Sequence, residues 1–126
     1  MKNILPVFMI VLACCSSKES KDATNFLLEP DAFQGKIQSG ATLIDVRSVE
    51  EYASGHISGS LNMDVNNPGF KDNVAVLDPK KEYALYCASG VRSGKAAEML
   101  RQAGFTSVFT LTGGIKSWKE KGLPLE

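Results

Sequence analysis

The stretch Tyr83-Ala-Leu-Tyr-Cys-Ala-Ser-Gly-Val-Arg-Ser-Gly-Lys95 decides how this chain folds. Tyr83 to Tyr86 is a short apolar run of the kind that forms a strand of a parallel sheet, buried on both faces. It ends at Cys87. The residues that follow, to Gly94, hold two glycines, two serines and an arginine, and a helical pattern opens at Lys95. In a strand, tight loop and helix N-terminus, the loop's amide N–H groups and the positive end of the helix converge on whatever sits at the strand's tip. Here that is a thiol. Both effects favour the thiolate and draw a cysteine from its reference pKa near ~8.5 into the range ~3.5–7.5. Arg92 adds a fixed cation five residues on. The pattern points to a nucleophilic cysteine that holds an anionic adduct among amides. The competing reading is an inert cysteine packed as a small hydrophobe, which a Gly-Ser loop carrying an arginine does not favour.

Outward from this segment, 126 residues give room for one domain with one core. The 14 basic residues balance the 14 acidic ones, with no basic tract suited to nucleic acid. Three cysteines and the single His56 show no C-x-x-C or paired-His spacing, so neither a zinc cluster nor any other metal or cofactor is predicted.

At the N-terminus, Lys2 precedes an apolar run of ten residues, Ile4 to Ala13, too short for a bilayer span and the right length for a signal peptide. Val11-Leu12-Ala13-Cys14 resembles a bacterial lipobox. Residues 1–13 then form a signal peptide, Cys14 becomes the lipidated N-terminus, and the polar residues 14–25 form a tether. This predicts a lipoprotein of the cell envelope, held to a membrane and facing the periplasm, with a globular domain over residues 26–126.

In that domain Phe26 to Leu28 reads as a first strand, and Glu29-Pro-Asp31 as a helix start with Asp31 as N-cap. Phe33, Ile37 and Ala41 share one face, and Gly40 closes the helix. Ala41 to Val46 is the strongest strand. A helical turn from Ser48 to Tyr52 follows, with Ser48 and Glu51 spaced as a capping box. Leu61 to Met63 is a further strand and Phe70 to Leu77 a short irregular helix. After the cysteine loop, Ala96, Met99, Leu100 and Ala103 form an apolar helix face closed by Gly104. Phe105 to Leu111 is the last strand, and Thr112-Gly-Gly114 turns into a helix carrying Ile115 and Trp118. Asp45 and Arg47 stand at the carboxyl end of their strand, the edge where open α/β sheets bind ligands. Two roles are open to them: support of the cysteine loop by hydrogen bonds, or a structural ion pair at the sheet's rim. His56, in a Gly-His-Ile turn, is expected to bond to backbone rather than to act as a base.

Four stretches together carry a family resemblance: Leu43-Ile-Asp-Val-Arg47 with Glu51-Tyr52; Gly55 to Asn62; Tyr86 to Ser93; and Gly104 to Trp118 with Gly122-Leu-Pro124. In that order and spacing, from about Phe26 to Leu125, the chain resembles a single-domain rhodanese-homology protein. The resemblance implies a three-layer α/β fold with a central five-stranded parallel sheet flanked by helices. It implies a sulfurtransferase in which Cys87 takes sulfane sulfur from thiosulfate, a polysulfide or a persulfide, becomes a persulfide, and passes the sulfur to a thiophilic acceptor. Carried over, Ala88, Ser89, Gly90, Val91, Arg92 and Ser93 form the loop that holds the persulfide and the incoming anion. Partners are then small sulfur-containing anions or protein thiols and persulfides, and the domain is expected to be a monomer.

Phosphatase and arsenate-reductase members of the fold have a loop one residue longer, with arginine six positions after the cysteine. Here Arg92 stands at plus five, which argues against that branch. Two-domain thiosulfate enzymes often carry cations directly after the cysteine and an arginine six positions beyond the aspartate. This chain has Ala88, Val91 and Glu51 at the corresponding places, which predicts weaker attraction for a dianionic donor. A non-catalytic rhodanese-homology binding module is the alternative, and an intact Cys87 speaks against it.

Overall fold

The computed structural model describes residues 26–126. The predicted signal peptide, Cys14 and the tether lie outside the described residues. Ten elements follow in order: β1 (Leu27–Leu28), α1 (Pro30–Gln38), β2 (Thr42–Asp45), α2 (Val49–Ala53), β3 (Leu61–Asn62), α3 (Phe70–Ala75), β4 (Glu82–Tyr86), α4 (Val91–Gln102), β5 (Ser107–Leu111) and α5 (Gly114–Glu120). The strands form one five-stranded sheet in the order β1-β5-β4-β2-β3, and every neighbouring pair is parallel. The cysteine strand β4 is therefore central, with Ile44 opposite Leu85 on one side and Thr110 opposite Leu85 on the other.

Period-two alternation divides the core between the two faces of the sheet. Ile44, Val46, Tyr83, Leu85, Cys87 and Val108 pack with α3 and α4, against Phe70, Val74, Ala96, Ala97 and Leu100. Leu43, Ala84, Tyr86 and Leu111 pack on the opposite face with Phe33 of α1 and Ile115 and Trp118 of α5. Such side chains each contribute about 1.5–3 kcal/mol when fully removed from water. The result is the three-layer α/β fold expected, and Cys87 points into the α3/α4 layer.

Local departures from the sequence reading have local causes. Helix α1 starts at Pro30 with Glu29 as N-cap, so Asp31 is not the cap; it lies in the first turn, with its carboxylate 3.0 Å from Lys121 Nζ. Proline fixes φ at a helical value and lacks an N–H, which suits the first helical position. Ala41 lies beyond that helix, though buried. Helix α4 opens at Val91, not Lys95, because Gly90 turns the chain at φ +106°. Its buried face runs through Ser93, Ala96, Ala97 and Leu100, while Ala103 is exposed. The capping box is present: Ser48 Oγ accepts the Glu51 N–H at 3.2 Å, and Glu51 Oε1 lies 3.4 Å from the Ser48 N–H.

Candidate active site

Strand β4 delivers Cys87 to the carboxyl edge of the sheet at 1% exposure. Its sulfur accepts the Gly90 N–H at 3.0 Å. Gly90 reaches that position only by adopting φ +106°, a conformation glycine takes without penalty. Ser93 Oγ lies 3.5 Å from the sulfur and donates to the Gly90 carbonyl at 3.1 Å. In the thiol form the proton on sulfur points to Ser93. In the thiolate form the Ser93 hydroxyl is free to turn and donate to sulfur instead. Burial opposes ionisation of Cys87, but the hydrogen bonds from the Ser93 side chain and from the Ser93, Gly90 and Ser89 backbone outweigh it. They hold the thiol below its ordinary pKa.

The loop is pinned from behind by the β5–α5 turn. Ile115 N–H donates to the Cys87 carbonyl at 2.8 Å and Lys116 N–H reaches the Ala88 carbonyl at 3.4 Å. Tying the carbonyls outward on the α5 side leaves the loop's N–H groups turned toward the thiol. Gly114, at φ +62°, makes this approach: a Cβ there would stand 2.5 Å from the Cys87 oxygen and from the Ala88 carbonyl group.

Of the other loop residues, Val91 is 79% exposed and Ala88 half-buried. The Arg92 guanidinium does not project freely toward a ligand. It makes two hydrogen bonds to Glu51 across from α2, at 2.6 and 2.9 Å. The Arg92 bonds, aided by Ser48, hold the Glu51 carboxyl down to about 2. Arg92 is in turn held more firmly protonated, chiefly by Glu51, with Cys87 and Asp64 contributing to the field.

Asp45 and Arg47 form a buried ion pair, with Nε at 3.0 and 3.1 Å from the two carboxylate oxygens and Nη2 at 2.7 Å from Oδ2. Arg47 also donates to the Gly55 carbonyl at 2.7 Å, and Asn62 Nδ2 ties the Asp45 and Arg47 carbonyls together. Among the described residues, none of these side-chain bonds reaches residues 87–93. The geometry is that of a pair fastening β2 to the 55–62 connection, not of support for the cysteine loop. His56 stacks on Tyr52 with ring centroids 3.7 Å apart, and its Nδ1 meets the Tyr52 carbonyl at 2.9 Å. That acceptor requires a proton on Nδ1. His56 is thus occupied away from the thiol.

Three contributors escape a reading of the sequence by motif. Glu51 shows there as a cap and as a departure from the thiosulfate enzymes but not as a partner of Arg92, Gly114 as a turn residue but not as the loop's close neighbour, and Tyr86 as a strand hydrophobe but not as an acceptor. Yet the Tyr86 hydroxyl accepts the Ile57 N–H at 2.9 Å and lies 3.1 Å from Ser60 Oγ, locking the turn beneath the site.

Known proteins resemble this chain in both sequence and fold. Residues 29–121 match the model of the rhodanese-like domain. The chain belongs to the rhodanese-like family. This rhodanese-like chain is 34% identical over 92 residues to thiosulfate sulfurtransferase GlpE of Pseudomonas paraeruginosa, covering 73% of the chain and 82% of that protein. It is 42% identical over 81 residues to the uncharacterized protein YqhL of Bacillus subtilis, covering 64% of this chain and 63%, less than two thirds, of that relative. Among solved structures, a rhodanese-related protein from Thermoplasma volcanium superposes with TM-score 0.71 at 32% identity, covering 79% of this chain and 95% of the other. The human single-domain sulfurtransferase TSTD1 superposes with TM-score 0.65 at 27% identity, covering 76% and 96%.

Proposed function

We propose that this rhodanese-like domain is a sulfurtransferase that carries sulfane sulfur on Cys87. The observation that carries the reading is the Gly90 N–H directed at a buried Cys87 sulfur, with Ser93 and Ser89 completing the set of donors. A relative named as a thiosulfate sulfurtransferase supports it.

In the first half-reaction the thiolate's lone pair attacks the outer sulfur of a donor. With thiosulfate, the new S–S bond forms as the old one breaks, and its electron pair leaves as sulfite. The persulfide anion left on Cys87 takes the place of the thiolate among the amides, which stabilise charge on either sulfur. In the second half-reaction a thiophilic acceptor attacks the terminal sulfur. Cyanide leaves as thiocyanate, and Cys87 is a thiolate again. Charge is conserved in both steps and no proton need move, which suits a loop without a free imidazole or carboxylate at the sulfur.

The proposal extends to location. The Ile4–Ala13 run and the Val11-Leu-Ala-Cys14 segment support a lipoprotein anchored by Cys14 in a bacterial cell envelope, its domain facing the periplasm as a monomer and meeting small sulfur anions or protein thiols.

The test is cyanolysis by the full chain in detergent, wild type against Cys87→Ser, with thiosulfate and then polysulfide as donor. Thiocyanate formed by wild type and lost in the variant supports transfer through Cys87. No turnover with either donor, from folded protein with a free thiol, sinks the reading in favour of a binding module.

A further inference from the structure

Arg92 is the one cation of the 87–93 loop, and it stands close enough to Cys87 for each charge to act on the other. On position alone it is the group that would receive the sulfonate end of a dianionic donor. The structure gives it a competitor. Glu51, 41 positions earlier in the chain, takes both outer nitrogens of the guanidinium in a bidentate pair. Glu51 is itself held in place by the α2 capping box, with its Oε1 shared between Ser48 and Arg92. An arginine fork paired with one carboxylate has its charge largely neutralised and two of its five N–H donors taken, so it attracts a second anion less well.

The surroundings of the pair agree. Asp64 adds a further negative charge to the field at Arg92. Val49, two residues before Glu51, is 65% exposed, and Val91, next to Arg92, is 79% exposed. Cys87 is 1% exposed, so only the tip of a donor reaches its sulfur and the rest of the donor stays outside, beside the loop that carries Val91 and Arg92. A closed ion pair, a nearby carboxylate and an exposed valine on the cysteine loop suit an uncharged or weakly charged organic group better than a sulfonate dianion.

We infer that Glu51 is a specificity-determining residue: by occupying Arg92 it turns the Cys87 site away from dianionic donors and toward organic persulfides. The inference rests on the sulfurtransferase reading and deepens it. The preferred step is attack of the Cys87 thiolate on the outer sulfur of R–S–SH. The S–S bond of the donor breaks, its electron pair leaves as R–S⁻, and Cys87 keeps the sulfur and its proton as Cys87–S–SH. The reacting donor is neutral, so the step needs no free cation at the rim. With thiosulfate the site must bind two negative charges beside Glu51 and Asp64. The discrimination comes as much from repelling the wrong donor as from attracting the right one.

The test compares kcat/KM for thiosulfate and hydroxyethyl persulfide in the full chain, as wild type, Glu51→Gln, Arg92→Gln and the double variant. Glutamine preserves the capping box and removes the charge. In Glu51→Gln the thiosulfate-to-persulfide ratio should rise at least ~10-fold, the size of effect expected from one uncovered charge facing a dianion. The double variant should lose that rise. Arg92→Gln alone strands the Glu51 carboxylate beside the donor and should lower the ratio, the same charge effect with its sign reversed. Sulfate protection of Cys87 from iodoacetamide, at constant ionic strength, reads the same site without turnover. Half-protection should need at least ~10-fold less sulfate in Glu51→Gln than in wild type. An unchanged donor ratio in Glu51→Gln, or a rise in the double variant as large as that in Glu51→Gln, overturns the role of Glu51 while wild-type turnover keeps the sulfurtransferase reading. A wild type that transfers sulfur from neither donor overturns both.

Discussion

Gly114 lies so close to the cysteine loop that a methyl group on it would stand 2.5 Å from the Cys87 carbonyl oxygen. The turn that carries it supplies the Ile115 N–H to that same oxygen. The N-terminus of α5 thus works as the back wall of the loop, and the loop's inward-facing amides depend on it.

Gly114→Ala should therefore cost about 2–4 kcal/mol, from the left-handed backbone and the clash together. Cyanolysis per folded molecule should fall as well, because the loop must shift. The matched control is Gly94→Ala in α4, where nothing lies within 4 Å of the new methyl and φ is ordinary. It should stabilise by about 0.5–1 kcal/mol. Urea denaturation of both variants measures the contrast, and equal effects of the two would rule out the close approach.

Ser93 and the loop amides hold the Cys87 thiol below its ordinary pKa. The rate of alkylation by iodoacetamide should consequently reach its plateau at lower pH than a free cysteine does. Ser93→Ala should move the midpoint upward and slow the reaction at neutral pH. The same shift enters stability. A group whose folded pKa is lowered adds stability that is fully present above its unfolded pKa, about 8.5, and is lost as pH falls through the folded value. The stability gap between wild type and Cys87→Ser should widen as pH is raised from about 6 to about 9. A gap independent of pH would show that the native thiol titrates normally.

Asp45 is 0% exposed and Arg47 5%. Removing one partner of such a pair strands the other, so Asp45→Ala should cost about 3–5 kcal/mol. Replacing both, as Asp45→Leu with Arg47→Met, should recover a good part of that loss. In each variant the alkylation midpoint of Cys87 should match wild type; a shifted midpoint would return the pair to a role at the cysteine loop.

The Tyr86 hydroxyl is the acceptor for the Ile57 N–H. Burial, foremost, pushes its own ionisation well above the ordinary tyrosine value, so it stays a neutral phenol. Tyr86→Phe leaves a buried N–H without a partner and should cost about 1–3 kcal/mol by urea denaturation. Sulfur transfer per folded molecule should persist, because the hydroxyl serves the 57–60 turn and not the sulfur.

Much of the fold and part of the site were legible beforehand, and the divide follows the range of the interaction. The apolar run before Cys87, the alternation of Leu43 and Ile44 between two core layers, and the Ser48–Glu51 box are decided by neighbours within a few residues. By sequence Ser93 and Gly94 read as loop residues, which sets the start of α4 too late, whereas Gly90 alone makes the turn and Ser93 is buried on the helix. For Asp45 and Arg47 the sequence leaves two roles open; their two-residue spacing fits an ion pair, but only the tertiary structure shows that, among the described residues, none of their side-chain bonds passes on to residues 87–93.

By itself the sequence determined a central parallel strand ending in a cysteine, with a loop of glycine, serine and arginine set against a helix. Periodicity and turn chemistry are local properties, and they suffice for that. Tertiary structure alone decided what the loop's arginine does and what holds the loop's backbone. The sheet order β1-β5-β4-β2-β3 sets β4 between the strands that lead into α2 and α5, so connections distant in sequence meet at one carboxyl edge. There Glu51 reaches Arg92 and Gly114 reaches Cys87. Both contacts depend on side chains and backbone meeting to within an ångström across separate elements, which no spacing along the chain encodes.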